Sequence, residues 1–353
     1  QCLVGSEMCI RDSLTADTYR RLSDGQIMKA TVPLETGEGS ITTNIGAVRN
    51  TGIELGLNLG VIRNKNFTWD VNLAFARNWS KITELPNGDD VSNNWFIGER
   101  LNVLRDYTSA GIITTDGITM RTKDGDRHYT LQEVYDTFGP GGQGLKWYEG
   151  QMAVNDWNND GKINDEDKQI FGCTDPKWTG SLSSTMTYKG FDFSFMLYTK
   201  QGQWSRSYFH EQYMNYGDRG RQKVNFDYYI PAGTPVLDKN TGDVTYLSEA
   251  HIGKYPYPNN TEKTGGGYFS SSSAAVRYHK TSFVKVKNIT LGYTFPKAWL
   301  SKIAVKHLRL YVNVINPFCF TDYEGFDPEW ASANLTNGGP ASVTYQIGAN
   351  IKF

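Results

Sequence analysis

The feature that most constrains this chain is a strict alternation of apolar and polar residues, kept up over long runs. Ile53, Leu55, Leu57, Leu59 and Val61 alternate with Glu54, Gly56, Asn58 and Gly60. Successive side chains of a strand point to opposite faces, so such a run has one apolar and one polar face. After Asn64, Lys65 and Asn66 the alternation resumes as Phe67, Trp69, Val71, Leu73 and Phe75 against Thr68, Asp70, Asn72 and Ala74, which predicts a tight hairpin. The arrangement recurs around Lys189 and Gly190: Leu182 and Met186 precede the turn, and Phe191, Phe193, Phe195 and Leu197 follow it against Asp192, Ser194 and Met196. Two more runs, Phe283 to Phe295 and Leu308 to Val314, flank a longer turn from Pro296 to His307, and a last strand spans Val343 to Phe353. One further strand is expected near Tyr19 to Val32, giving roughly eight in all.

Between these hairpins lie polar stretches at 84–177 and 202–282, far longer than most connections in compact domains. Short turns at one end and long loops at the other, on strands with one apolar and one polar face, are the layout of an outer-membrane barrel. Parity then puts the turns at 64–66, 189–190 and 296–307 on the periplasmic side and the long stretches outside the cell. Composition agrees with strands and turns: aromatics make up 13% and there are 36 glycines, while hydrophobic residues reach only 39%, below the usual ~45–50%. No run approaches the ~18 apolar residues of a membrane helix, which leaves a strand-built membrane protein open. A soluble β-sandwich with large insertions also alternates in this way and stays open on pattern alone. The 36 basic and 37 acidic residues balance to a net charge of −1, which gives no reason to expect a nucleic-acid partner.

Residues 1–13 are expected to be a non-native leader, similar to a translated sequencing adapter, with the native chain entering near Leu14 and lacking its N-terminal part. The four cysteines, Cys2, Cys9, Cys173 and Cys319, have no metal-ligand or disulfide spacing. Catalytic motifs are missing too. The glycine-rich Gly139 to Gly144 lacks the Gly-Lys-Ser/Thr ending of a phosphate loop, and His210-Glu211 has Met214 where a zincin helix needs its second histidine. No enzyme is expected.

One loop has the spacing of a metal site. In Asp156 to Asp167, oxygen donors stand at positions 1, 3, 5, 9 and 12, Gly161 at 6 permits the sharp turn, and position 7 offers a backbone carbonyl. The expected calcium ligands are Asp156, Asn158, Asp160, Lys162 through its carbonyl, Asn164 and Asp167, with Ile163 as an apolar plug. Asp167 departs from the usual bidentate Glu and resembles dockerin-type loops instead. A solvated turn rich in Asp and Asn and holding no metal is the open alternative. The C-terminal strand, with Tyr345, Ile347, Ala349, Ile351 and a terminal Phe353 on one face, resembles a barrel insertion signal.

Five blocks carry a more specific resemblance: Asn44 to Leu55; Asp156 to Asp167 followed by Phe171 to Pro176; Phe283 to Pro296; Asn313 to Phe318; and Gly325 to Glu329. In order and spacing they resemble the C-terminal barrel half of SusC/RagA-type TonB-linked outer-membrane proteins, over residues 14–353. The resemblance implies an all-β fold, the C-terminal portion of a large antiparallel transmembrane β-barrel with long extracellular loops, in the outer membrane of a Gram-negative bacterium. It also implies import of an oligosaccharide or peptide through a barrel of roughly 22 strands, together with a SusD-like surface lipoprotein and with energy from the TonB complex. Loop aromatics Trp95, Trp147, Tyr148, Trp204, Tyr208, Phe209, Tyr213 and Tyr216 could stack on cargo or simply pack the loops. A calcium-stabilised β-sandwich adhesin or glycan-binding module is the competing reading, and a complete small barrel a third.

Overall fold

The computed structural model describes residues 12–25, 27–31, 40–44, 46–139, 144–213, 227–238, 240–257, 277–301, 305–332 and 341–353. Its frame is one eight-stranded antiparallel sheet in simple sequence order. The strands are β1 (Asp12–Ser23), β2 (Ala47–Arg63), β3 (Phe67–Glu84), β4 (Trp178–Tyr188), β5 (Phe191–Gln201), β6 (Phe283–Thr294), β7 (His307–Phe320) and β8 (Thr344–Lys352). Each pairs with the next.

Register turns the alternation of single strands into two continuous faces, because directly opposed residues share a side. One row runs Leu59, Val71, Ser184, Phe195, Ile289, Val314, Tyr345 across seven strands. The row beside it, on the other face, runs Gly60, Asp70, Thr185, Ser194, Thr290, Asn313, Gln346. Polar side chains on that face bond to one another: Asn313 donates to Gln346 at 3.0 Å and Thr290 to Asn313 at 2.9 Å. The apolar face stays open, with Ile347 86% and Tyr345 75% exposed. A β-sandwich would bury this face against a second sheet, and the structure therefore lends the sandwich reading no support.

Turn chemistry explains the short end. Lys189 and Gly190 have φ of 46° and 91°, the pair of positive angles that two-residue hairpins use to match strand twist. A Cβ at Gly190 would stand 2.8 Å from the Thr294 carbonyl oxygen. At the preceding hairpin the Asn64 side chain accepts from the backbone N–H of Asn66 and of Phe67. The strand expected from Tyr19 to Val32 differs from what is found. β1 starts earlier, at Asp12, inside the segment set aside as a leader, and stops at Ser23. Gly25, at φ 59°, breaks the run, and residues Ile27–Thr31 form a separate hairpin with Ser40–Asn44.

The first long stretch folds into a body with its own core. Helix α1 (Leu131–Phe138) begins with a capping box in which Thr130 accepts from Glu133 N–H and the Glu133 carboxylate accepts from Thr130 N–H. Its Val134 packs with Ile113, Met120, Tyr129, Tyr148 and Ala153. A second cluster of Val48, Ile82 and Leu85, with Trp95 and Leu101 against it, joins the ends of β2 and β3 to this loop.

Candidate metal centre and its surroundings

The Asp156 to Asp167 loop leaves the core strand Met152–Val154 and is held at both ends. Asn155 anchors its start: the side-chain amide donates to Thr108 Oγ1 at 2.8 Å, and its oxygen accepts from Arg121 N–H at 2.8 Å. Ile163 packs against the Tyr129 and Tyr148 core and also against the Tyr107 and Val154 cluster, as the plug position requires. At the exit, Asn164 caps the short 3-10 turn Asp165–Asp167, and Arg105 donates to the Asp165 carbonyl at 2.7 Å.

Within the loop the side-chain oxygens turn inward onto backbone N–H groups. Asp156 accepts from Asp160 at 3.2 Å and Gly161 at 2.9 Å; Asn158 accepts from Asp160 at 3.1 Å; Asp160 accepts from Lys162 at 2.8 Å. Asp167 accepts from Asn158 at 3.3 Å and Asn164 at 2.8 Å. Gly161 sits at φ 76°, an angle glycine adopts without strain. Asp156 and Asp167 are both 0% exposed, and among the described residues neither forms an ion pair. Burial pushes the Asp167 carboxyl above the ordinary range, the backbone N–H groups oppose this, and Asp156 adds like-charge repulsion.

Two buried carboxylates without a cation are costly unless something compensates them, and each still has unused lone pairs, since a carboxylate accepts about four bonds. The all-oxygen donor set suits a hard cation such as calcium. Among the described residues no three His, Cys, Asp or Glu side chains converge closely enough to form a ready-made metal cluster. The loop thus brings its six sequence-identified residues into one turn, where the side-chain oxygens accept from backbone N–H groups and the two buried carboxylates keep lone pairs unused.

The aromatics considered as ligand platforms largely fill the loops. Trp147 and Tyr148 pack edge to face at 4.9 Å in the core, Trp204 lies 5.5 Å from Phe171, and buried Phe209 lies 4.7 Å from Phe326. Tyr208 is half-buried, with Arg206 5.2 Å from its ring. Tyr216 and the Tyr213 side chain lie outside the described residues.

Two further clusters escaped the sequence. Lys285 of β6, 2% exposed, bonds Asp327 through both oxygens at 2.9 Å and Glu329 at 2.5 Å, while Lys287 holds Glu329 at 2.7 Å. Removing one partner from such a buried network costs about 3–5 kcal/mol. Its signal was the pair of lysines in the Phe283 to Pro296 block and the acids in the Gly325 to Glu329 block, which nothing in one dimension pairs. His210, 0% exposed, stacks on His279 at 3.6 Å and shares a 2.6 Å bond with Ser207, which in turn bonds Tyr323 at 2.6 Å. Burial first, then His279 and Lys254, hold the His210 pKa at about 2.

The sheet and these loops can be compared with known proteins. No protein-family model matches the chain. TonB-dependent receptor P39 of Formosa agariphila is 27% identical over 372 residues, covering 97% of this chain and 34% of the receptor. TonB-dependent receptor SusC of Bacteroides thetaiotaomicron is 28% identical over 340 residues, covering 96% and 30%. The chain is similar to TonB-dependent receptors of the SusC/RagA type. Among solved structures, that of the RagAB peptide transporter superposes with a TM-score of 0.62 at 20% identity, over 97% of this chain and 34% of that one. The fold is thus all-β, an antiparallel sheet shared with part of a TonB-dependent barrel. The chain spans about a third of the length of the curated relatives it matches. These relatives are receptors and transporters rather than enzymes, in line with the missing catalytic motifs.

Proposed function

We propose that these 353 residues form part of the wall and loops of a TonB-dependent outer-membrane importer. The observation that carries this reading is the open apolar face, continuous across the sheet and backed by an equally continuous polar face. Such a sheet is stable where lipid covers one side and water or protein the other. The cargo is an oligosaccharide or a peptide, delivered with a SusD-like lipoprotein and driven by TonB. The similarity to TonB-dependent receptor SusC supports TonB-driven transport, and the RagAB peptide transporter is a structural neighbour whose name specifies a peptide. Deleting the gene and following uptake of labelled oligosaccharides and peptides tests the proposal. Loss of one class is the expected result, and unchanged uptake of both, with the protein in the soluble fraction, would overturn it.

In the same reading the Asp156 to Asp167 loop binds calcium through Asp156, Asn158, Asp160, the Lys162 carbonyl, Asn164 and Asp167. The support is the donor chemistry and the two buried carboxylates lacking a counter-ion. The metal neutralises that charge and fixes the segment entering β4, with no chemical role. Magnesium competes poorly, because it favours small octahedral shells and keeps its waters. Asp160→Ala should loosen the loop and leave membrane insertion intact. Absence of calcium heat in isothermal titration, or equal loop proteolysis with calcium and with chelator, would remove the site.

A further inference from the structure

Phe67, Trp69, Val71, Leu73 and Phe75 occupy the apolar face of β3 over nine residues, the ~9–11 that a tilted strand needs to cross a membrane. Beyond them, on the same parity and towards the long-loop end, that face carries Arg77, Trp79 and Lys81. Register sets Arg77 opposite Ile53 and Lys81 opposite Arg49. The Arg77 guanidinium lies 4.4 Å over the Trp79 ring, a cation–π contact that holds it at the rim. The segment around Gly98 runs alongside: Gly98 N–H donates to Ile82 and Ile82 N–H to Glu99, both at 2.8 Å. This brings Arg100 beside the other cations, while Lys177, just before β4, and Trp204 complete a hollow of about 450 Å³.

Its lining holds four cations, Arg77, Lys81, Arg100 and Lys177, against one acid, Glu99. Among the described residues none of the four cations forms an ion pair. Parity separates the two β3 cations of this hollow from the cargo route. Imported molecules pass along the polar face, whereas Arg77 and Lys81 belong to the lipid side. There a tryptophan at the edge of the apolar band marks the headgroup level, and clustered cations attract anionic headgroups.

We infer that this hollow binds the phosphate groups of a lipid headgroup in the leaflet at the long-loop end. Arg77 and Arg100 can grip phosphate oxygens in pairs, and Lys81 and Lys177 supply compact point charges. The inference rests on the sheet being a membrane-barrel wall.

The test uses the protein at its full genomic length, purified from outer membranes in a neutral detergent. Its intrinsic tryptophan fluorescence is titrated with diphosphoryl lipid A, the fully dephosphorylated lipid, inorganic pyrophosphate and a sulfated hexasaccharide. Saturable binding of the diphosphoryl lipid, lost on dephosphorylation and weakened by salt, is expected. The variant Arg77→Gln/Lys81→Gln/Lys177→Gln should bind it about a hundredfold less well, since each cation near a charged lipid surface contributes about fivefold. Equal binding of both lipids by the unaltered protein would overturn the inference even if the variant fails to fold. So would undiminished binding by a folded variant, or pyrophosphate or hexasaccharide binding as tightly as the lipid. The barrel reading is judged separately, by heat-modifiable migration of the unaltered protein on a gel. Loss of that behaviour removes the barrel reading, whereas its presence without phosphate-dependent binding removes only the lipid site.

Discussion

At the scale of single residues, protonation separates the two buried sites. Asp167 has its pKa raised by burial and by Asp156, so without metal its ionised form costs stability, which returns as pH falls through the raised pKa. A bound cation needs that carboxylate ionised. Calcium affinity should therefore hold steady above the raised pKa and fall by about tenfold per unit below it, measurable by heat titration across a pH series. A flat affinity down to the ordinary carboxylate range would take Asp167 out of the ligand set. His210 behaves differently: its pKa of about 2 lies far below the usual 6.5, so the unfolded cluster takes up protons first and stability is lost as pH drops below 6.5. At pH 5 the loss is about 2 kcal/mol. Hydrogen exchange in the strand Tyr278–Lys280, which carries the stacked His279, should accelerate accordingly, and His210→Asn should remove most of the pH dependence. Neither environment could be read from the sequence, because burial of Asp167 depends on a core that includes α1, and that of His210 on Tyr255, Tyr323 and His279 from distant segments.

At the scale of elements, alternation fixed the strands and register fixed their faces. The expected runs from Ile53 to Val61, Phe67 to Phe75 and Phe191 to Leu197 all lie in strands, and turn residues such as Lys189-Gly190 stand where the chain reverses. The long stretches were less legible. Their strands are only three to five residues long, and their one eight-residue helix, although Leu131, Val134, Tyr135 and Phe138 keep helical spacing behind the Thr130 cap, is too short to hold without packing around Tyr129 and Tyr148. The two faces give a paired test on β8. Ile347→Arg puts a charge on the apolar side and should cost about 2–4 kcal/mol of barrel stability, seen as reduced surface yield and a lower urea midpoint. Asn350→Arg, one face over, should insert normally. Equal effects of the two would contradict the assignment of faces.

At the scale of the whole molecule, β1 and β8 each pair on one side only among the described residues, and the apolar face is open between them. Exposed edges and a wide apolar surface drive association in water. The 353-residue chain by itself should therefore aggregate without detergent and disperse with it, as light scattering would show; a monodisperse species melting cooperatively in plain buffer would count against the wall reading. The sequence by itself determined the strands after the first, the polarity of their faces, the calcium-loop spacing and the resemblance to a barrel family, because period-two patterning and loop donor spacing are local properties of the chain. Only the tertiary structure decided that Lys285 meets Asp327 and Glu329, that His210 stacks on His279, and that Arg77, Lys81, Arg100 and Lys177 share one hollow. Those neighbours are brought together by strand pairing and loop packing across up to a hundred residues of sequence, and no local pattern encodes which distant charges will face one another.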